Sequence, residues 1–203
     1  MIKILNLYAG IGGNRKLWPD DEIEVTAVEI NESIAKIYQD FFPKDKVIVG
    51  DAHQYLLEHY KEFDFIWSSP PCPSHSRARY WSSKGGPLLP IYPEMQLWQE
   101  IIFLKSFSNC KYAIENVISY YPKILNPKNI GNHYIWSNFN ISNFKDSSRK
   151  TDKIKTNTTH YGYNIKNSNL KNKIKILRNL VNPKIGLHVF NCAFKEKQQT
   201  LLK

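Results

Sequence analysis

The sequence predicts an α/β domain built on a doubly wound, mostly parallel sheet. Five short apolar runs, rich in β-branched and aromatic residues, recur between Met1 and Val117. The stretches between them carry helical spacing and capping residues. Gly, Pro or acidic residues close the runs, at the sheet end where open α/β folds bind ligands.

The first run, Ile2-Lys3-Ile4-Leu5-Asn6-Leu7-Tyr8, passes directly into Ala9-Gly10-Ile11-Gly12-Gly13. Glycines at a strand-to-helix turn let the backbone approach a ligand closely, although an ordinary tight turn explains the same pattern. The second run, Glu24 to Val28, ends in Glu29-Ile30. Asn31 is a good N-cap for a helix over Glu32 to Phe41. An acidic residue at the end of the second strand suits the two hydroxyls of a ribose. The third run, Val47 to Gly50, ends in Asp51, placed either to meet an adenine edge or to cap a helix over Ala52 to Tyr60.

The fourth run, Phe63 to Ser68, leads into Ser69-Pro70-Pro71-Cys72-Pro73-Ser74-His75-Ser76. Two prolines stop ladder pairing and stiffen the loop that carries Cys72. A thiol held there is either a buried structural cysteine or a nucleophile, if its surroundings favour the thiolate. His75, Arg77 and Arg79 are the nearby positive or polarisable groups. Ser74 to Pro90 lacks periodicity and reads as a long mobile loop. Pro93 suits the first turn of the next helix, with Leu97, Trp98, Ile101, Ile102 and Leu104 on its apolar face. The fifth run, Lys111 to Ile114, ends in Glu115-Asn116-Val117.

Beyond it, His133 to Phe139 reads as a further strand. Phe144 to Asn172 reads as an exposed segment or small insert, rich in Lys, Asn, Ser and Thr. The stretch from Val181-Asn182-Pro183 is expected to open a helix through Val189 and Phe190.

The 203 residues fit one domain spanning 1–203, and 42% hydrophobic with 13% aromatic content argues against general disorder. No early apolar run reaches membrane-spanning length, so neither a signal peptide nor a membrane partner is expected. Cys72, Cys110 and Cys192 form no CxxC pattern, which suits a reducing cytoplasm and argues against a zinc site. Charge is uneven. Residues 1–119 hold 12 Lys and Arg against 15 Asp and Glu, whereas residues 120–203 hold 16 against 3. The resulting net charges, −3 and +13, make a phosphate backbone a natural partner for the second part, although a Lys-rich solvated surface is the plainer explanation.

Five phrases now stand in one order: Leu7-Tyr8-Ala9-Gly10-Ile11-Gly12-Gly13, Ala27-Val28-Glu29-Ile30-Asn31, Gly50-Asp51, Ser69-Pro70-Pro71-Cys72 and Ile114-Glu115-Asn116-Val117. The set resembles the cytosine-5 DNA methyltransferase family. That resemblance implies a Rossmann-like class I methyltransferase fold and S-adenosyl-L-methionine as cofactor. It makes Cys72 the nucleophile, Glu115 the acid beside ring nitrogen 3 of the target cytosine, and Asn116 the residue that holds the loop. The implied cofactor residues are Tyr8, Ala9, Gly10, Gly12, Gly13, Glu29, Ile30, Asp51, Ala52, Pro70 and Asn182. Ser74, Arg77, Arg79, His133, Lys150, Lys153 and Lys155 are the expected nucleic-acid contacts, and no metal is needed.

Three departures from the family pattern stand out. Pro73 follows the cysteine where the family usually has Gln, and His133 stands where an arginine is expected. Only a short basic insert, at about 140–173, occupies the place of a target-recognition domain. The expectation is a compact, cytoplasmic, bacterial or phage-encoded enzyme acting on cytosine in double-stranded DNA. A tRNA- or RNA-methylating relative, a non-catalytic subunit of a split enzyme, and pairing with a partner or a second copy stay open.

Overall fold

The computed structural model describes residues 1–77, 91–144, 159–168 and 170–195. Seven strands form one sheet: β1 (Ile2–Leu7), β2 (Ile23–Glu29), β3 (Lys46–Val49), β4 (Phe65–Ser68), β5 (Lys111–Val117), β6 (Lys128–Ile130) and β7 (His133–Ser137). Their order is β3-β2-β1-β4-β5-β7-β6. β1 to β5 are parallel, and β7 runs antiparallel to both β5 and β6. Strand order reverses between β1 and β4, so their carboxyl ends open a crevice for a ligand.

Side-chain alternation along the strands feeds a core on each face. Ile4, Val25, Phe65 and Trp67 pack under α5 (Pro183–Phe194) through Ile185, Val189 and Phe190. Leu5, Leu7, Ile66 and Ile114 pack on the other face, under α2 (Ala52–His59) and α3 (Gln96–Phe107). The expected caps are present. Asn31 accepts from the Ile34 N–H to start α1 (Glu32–Phe41), and Asp51 accepts from the Gln54 N–H to start α2. Pro93 does not open α3, which begins at Gln96.

The expected helix after the glycine turn is absent. One 3-10 turn, Arg15–Leu17, stands there, and α5 packs against it. The reason lies in two close contacts. Trp18 Nε1 donates to the Gly186 carbonyl at 3.1 Å, and a Cβ on Gly186 would come within 2.1 Å of the Asn14 carbonyl oxygen. Behind the turn, buried Arg15 donates through Nε to Asp45 Oδ2 at 2.9 Å, and Asp45 also accepts from Tyr38.

The basic insert is not simply exposed. Its described part forms a hairpin, β8 (Thr159–His160) and β9 (Tyr163–Asn164), followed by a short helix, α4 (Lys173–Arg178). Buried Tyr163, Ile165 and Leu177 pack on Ile11. The elements are too short for a hydrophobic period to register in the sequence. Among the described residues, no helix is long and apolar enough to cross a membrane.

Candidate active site

The carboxyl ends of β1 to β4 bring Tyr8 to Gly13, Glu29, Ile30, Asp51, Ala52 and Pro70 to one edge of the sheet. Tyr8, Gly10 and Gly12 all have positive φ, at 54°, 56° and 84°. Gly12 has no room for a side chain, because a Cβ there would meet Phe42 at 2.3 Å and Tyr38 at 2.9 Å. Open space lies where a Cβ on Gly10 would point.

Glu29 is buried at the end of β2, with each carboxylate oxygen accepting one backbone N–H. Oε2 takes that of Gly10 at 3.0 Å and Oε1 that of Asn31 at 2.9 Å. Each oxygen keeps a second lone pair for a hydroxyl donor. Ile30 is exposed beside it, while Ala52 is buried behind exposed Asp51. Asn182 caps α5 by accepting the Lys184 N–H. This cradle, an acidic residue fixed beside an open glycine turn, fits the ribose end of S-adenosylmethionine. Gly10 and Glu29 would line it, with Asp51 at the rim.

The cysteine loop is tied to β5. Asn116 is buried and donates through Nδ2 to the Pro70 carbonyl at 2.9 Å. Cys72 is half-buried, and its own carbonyl accepts the N–H groups of His75 and Ser76. The N–H of Tyr120 bonds the His75 carbonyl, and His75 Nδ1 lies 2.5 Å from the Tyr121 hydroxyl. Sequence reasoning missed this brace, since nothing in Ser119-Tyr120-Tyr121 marks it as a partner of a loop 46 positions earlier.

Among the described residues, the surroundings of Cys72 oppose its ionisation. Burial and then the Glu115 carboxylate push the Cys72 thiol up, against a smaller opposing pull from Lys175 on α4. His75 supplies no charge, because burial lowers its pKa. Ser74, expected as a nucleic-acid contact, is buried, and its hydroxyl accepts the Glu94 N–H at 3.0 Å. Arg77 is exposed, while Arg79, Lys150, Lys153 and Lys155 lie outside the described residues.

Glu115 is buried within β5, and His133 Nε2 on β7 lies 3.5 Å from its Oε1. The position where an arginine is expected therefore holds an imidazole facing the candidate catalytic acid.

Strand order, glycine turn and ribose-type acid define a Rossmann-like protein of the class that binds nucleoside-containing cofactors. The C-5 cytosine-specific DNA methylase family model matches residues 2–117, which takes in every element from β1 through β5. The chain belongs to that family.

Among individual relatives, a tRNA (cytosine(38)-C(5))-methyltransferase of Spodoptera frugiperda is 34% identical over 80 residues, covering 37% of this chain and 24% of the relative. The crystal structure of a Spodoptera frugiperda DNMT2 variant is 26% identical, with a TM-score of 0.40, over 58% of this chain and 36% of that one. A SAM-dependent methyltransferase from Agrobacterium tumefaciens is 15% identical, with a TM-score of 0.41, over 62% and 40%. The chain thus spans about a quarter to two fifths of these relatives. Both structural likenesses are partial, and the strand order of the chain itself defines the fold.

Proposed function

We propose that this chain is a compact catalytic domain that methylates carbon 5 of cytosine in double-stranded DNA. The observation that carries this reading is the bond from Asn116 to Pro70, which fixes the Cys72 loop beside Glu115 at the carboxyl edge of the sheet. Carbon 5 of cytosine is a poor nucleophile, and a thiolate added to carbon 6 turns it into an enamine carbon. Cys72 forms that bond, and Glu115 stabilises the addition at ring nitrogen 3. When bound, S-adenosylmethionine supplies an electrophilic methyl group. Loss of the carbon 5 proton to a base and elimination of the Cys72 thiolate then restore the aromatic ring. The base must leave its stack to be reached by Cys72.

Burial and then Glu115 oppose ionisation of Cys72, so its attack on carbon 6 requires a base to take the thiol proton. His133, beside Glu115, takes the position of the family arginine, and Arg77 supplies a cation at the cysteine loop.

The description of the matching family names DNA, which supports the first reading. The similarity to the tRNA-methylating relative supports a second reading, with tRNA as substrate. Incubating the protein with labelled S-adenosylmethionine and either duplex DNA or tRNA, then mapping the modified base, separates the two. Label on DNA cytosine carbon 5 is expected. Label on tRNA alone would replace DNA with RNA, and label at an exocyclic amine would overturn the chemistry.

A further inference from the structure

Glu100, on α3, was not among the residues singled out in the sequence, yet it is fully buried and makes three polar contacts with other segments. Its Oε1 accepts from the Tyr8 hydroxyl at 2.6 Å and lies 3.2 Å from His53 Nδ1. Its Oε2 accepts from the Ser68 hydroxyl at 2.6 Å.

The three partners belong to three different walls of the candidate cofactor cradle. Tyr8 opens the glycine turn and holds a left-handed backbone, with φ of 54°, which a non-glycine residue keeps only when its surroundings enforce it. Ser68 is the last residue of β4, directly before Ser69-Pro70. His53 lies in the first turn of α2, next to Asp51 and Ala52.

We propose that Glu100 is a positioning residue that locks these three walls to α3, and that its contact with His53 makes cofactor affinity pH-dependent. This inference rests on the assignment of the cradle to S-adenosylmethionine. A carboxylate taken wholly out of water needs its lone pairs satisfied, and a protonated imidazole satisfies them better than a neutral one. The hydrogen bond to Glu100 raises the His53 pKa above its ordinary 6.5, against the opposing effect of burial. The charges of Glu100 and Asp51 add to the rise. The Tyr8 hydroxyl stays protonated, its pKa raised far beyond the usual range by burial and then by Glu100, with Asp51 and Glu94 adding to it.

The sign follows from linkage. A raised folded-state pKa stabilises the charged contact fully below the unfolded value, and the gain fades as pH climbs through the raised value. The charged contact therefore holds the three walls most firmly on the acid side, and because the cofactor binds the ordered cradle, its affinity declines as His53 deprotonates and the walls loosen.

Two measurements test the proposal. NMR titration of the His53 imidazole, in protein without cofactor, should give a raised pKa that falls back toward the ordinary value in Glu100→Gln. Calorimetry with S-adenosylmethionine, from about pH 6 to about pH 9, should show weaker binding at high pH in the wild type. Glu100→Gln should bind about tenfold more weakly near neutrality and lose most of the pH dependence. An unchanged His53 titration in the variant, or wild-type affinity that is flat with pH, overturns the proposal.

If Glu100→Gln does not fold, Tyr8→Phe and His53→Ala each remove one contact and should weaken binding several-fold. Wild-type affinity in both would overturn the proposal too. Wild-type protein that binds no S-adenosylmethionine at any pH refutes the cofactor assignment instead, and the NMR titration still judges the Glu100–His53 contact.

Discussion

Asn116 Nδ2 donates to the carbonyl oxygen of Pro70 at 2.9 Å, joining two residues 46 positions apart. The same Asn116 accepts the N–H of Val117, so its side chain is held at both ends. The cysteine loop is thereby fastened to the strand that carries Glu115, and the geometry of Cys72 depends on β5 as much as on β4.

Replacing the proposed nucleophile tests the chemistry most directly. Cys72→Ser should abolish methyl transfer while leaving S-adenosylmethionine binding nearly intact, because a serine alkoxide is far harder to form at neutral pH. Duplex DNA containing 5-fluorocytosine should trap the wild type covalently. Wild-type-like turnover by the serine variant refutes the assignment.

The reactivity of Cys72 should follow its surroundings. Its thiol is raised first by burial and then by Glu115, so alkylation by iodoacetamide should climb at a higher pH than for an ordinary thiol. Glu115→Gln should move that climb to lower pH, with the part due to burial left in place. Lys175→Ala should move it the other way. Mass spectrometry of the Cys72 peptide across a pH series gives the answer.

Glu29 should govern the cofactor alone. Glu29→Ala removes a charged acceptor, a change that typically costs about 1.5–3 kcal/mol, or roughly tenfold or more in affinity. Unchanged binding by calorimetry would reject its contact with ribose.

Buried Asp45 compensates buried Arg15 and accepts from Tyr38. Asp45→Ala leaves the guanidinium without its main partner, and breaking such a pair costs about 3–5 kcal/mol. Urea unfolding should register a loss of that order, and a loss under about 1 kcal/mol would show that Asp20 or water takes over.

The basic character of the second part of the chain should appear as salt dependence. Neutralising Lys150, Lys153 and Lys155 should weaken binding to all duplexes alike and flatten the slope of affinity against salt. Arg77→Ala should instead alter site preference or turnover. Filter binding at several salt concentrations distinguishes these outcomes from a merely solvated surface.

The parallel half of the fold was legible because each β-α unit carries its own local signals. Asn31 and Asp51 announce α1 and α2, and Pro183 marks the start of α5. What escaped is what depends on distant partners. The hairpin with Tyr163 spans only six residues, Thr159 to Asn164, and its burial depends on Ile11. Arg15 reads as an exposed cation until Asp45 comes up beside it. The electrostatics of Cys72 escaped for the same reason. Its neighbours in sequence are cationic, but burial and Glu115 dominate its electrostatics.

The seat of α5 also sets the order of events in synthesis. Trp18 meets its hydrogen-bond partner 168 residues later. A chain emerging from the ribosome can pair its parallel strands early, yet one face of β1 and β2 stays uncovered until α5 arrives. Closing so long a loop is a slow, late step. In the interval Trp18, Val25 and Phe65 form an oily face open to other nascent chains, so yield in the cell should depend on how quickly translation passes Phe194.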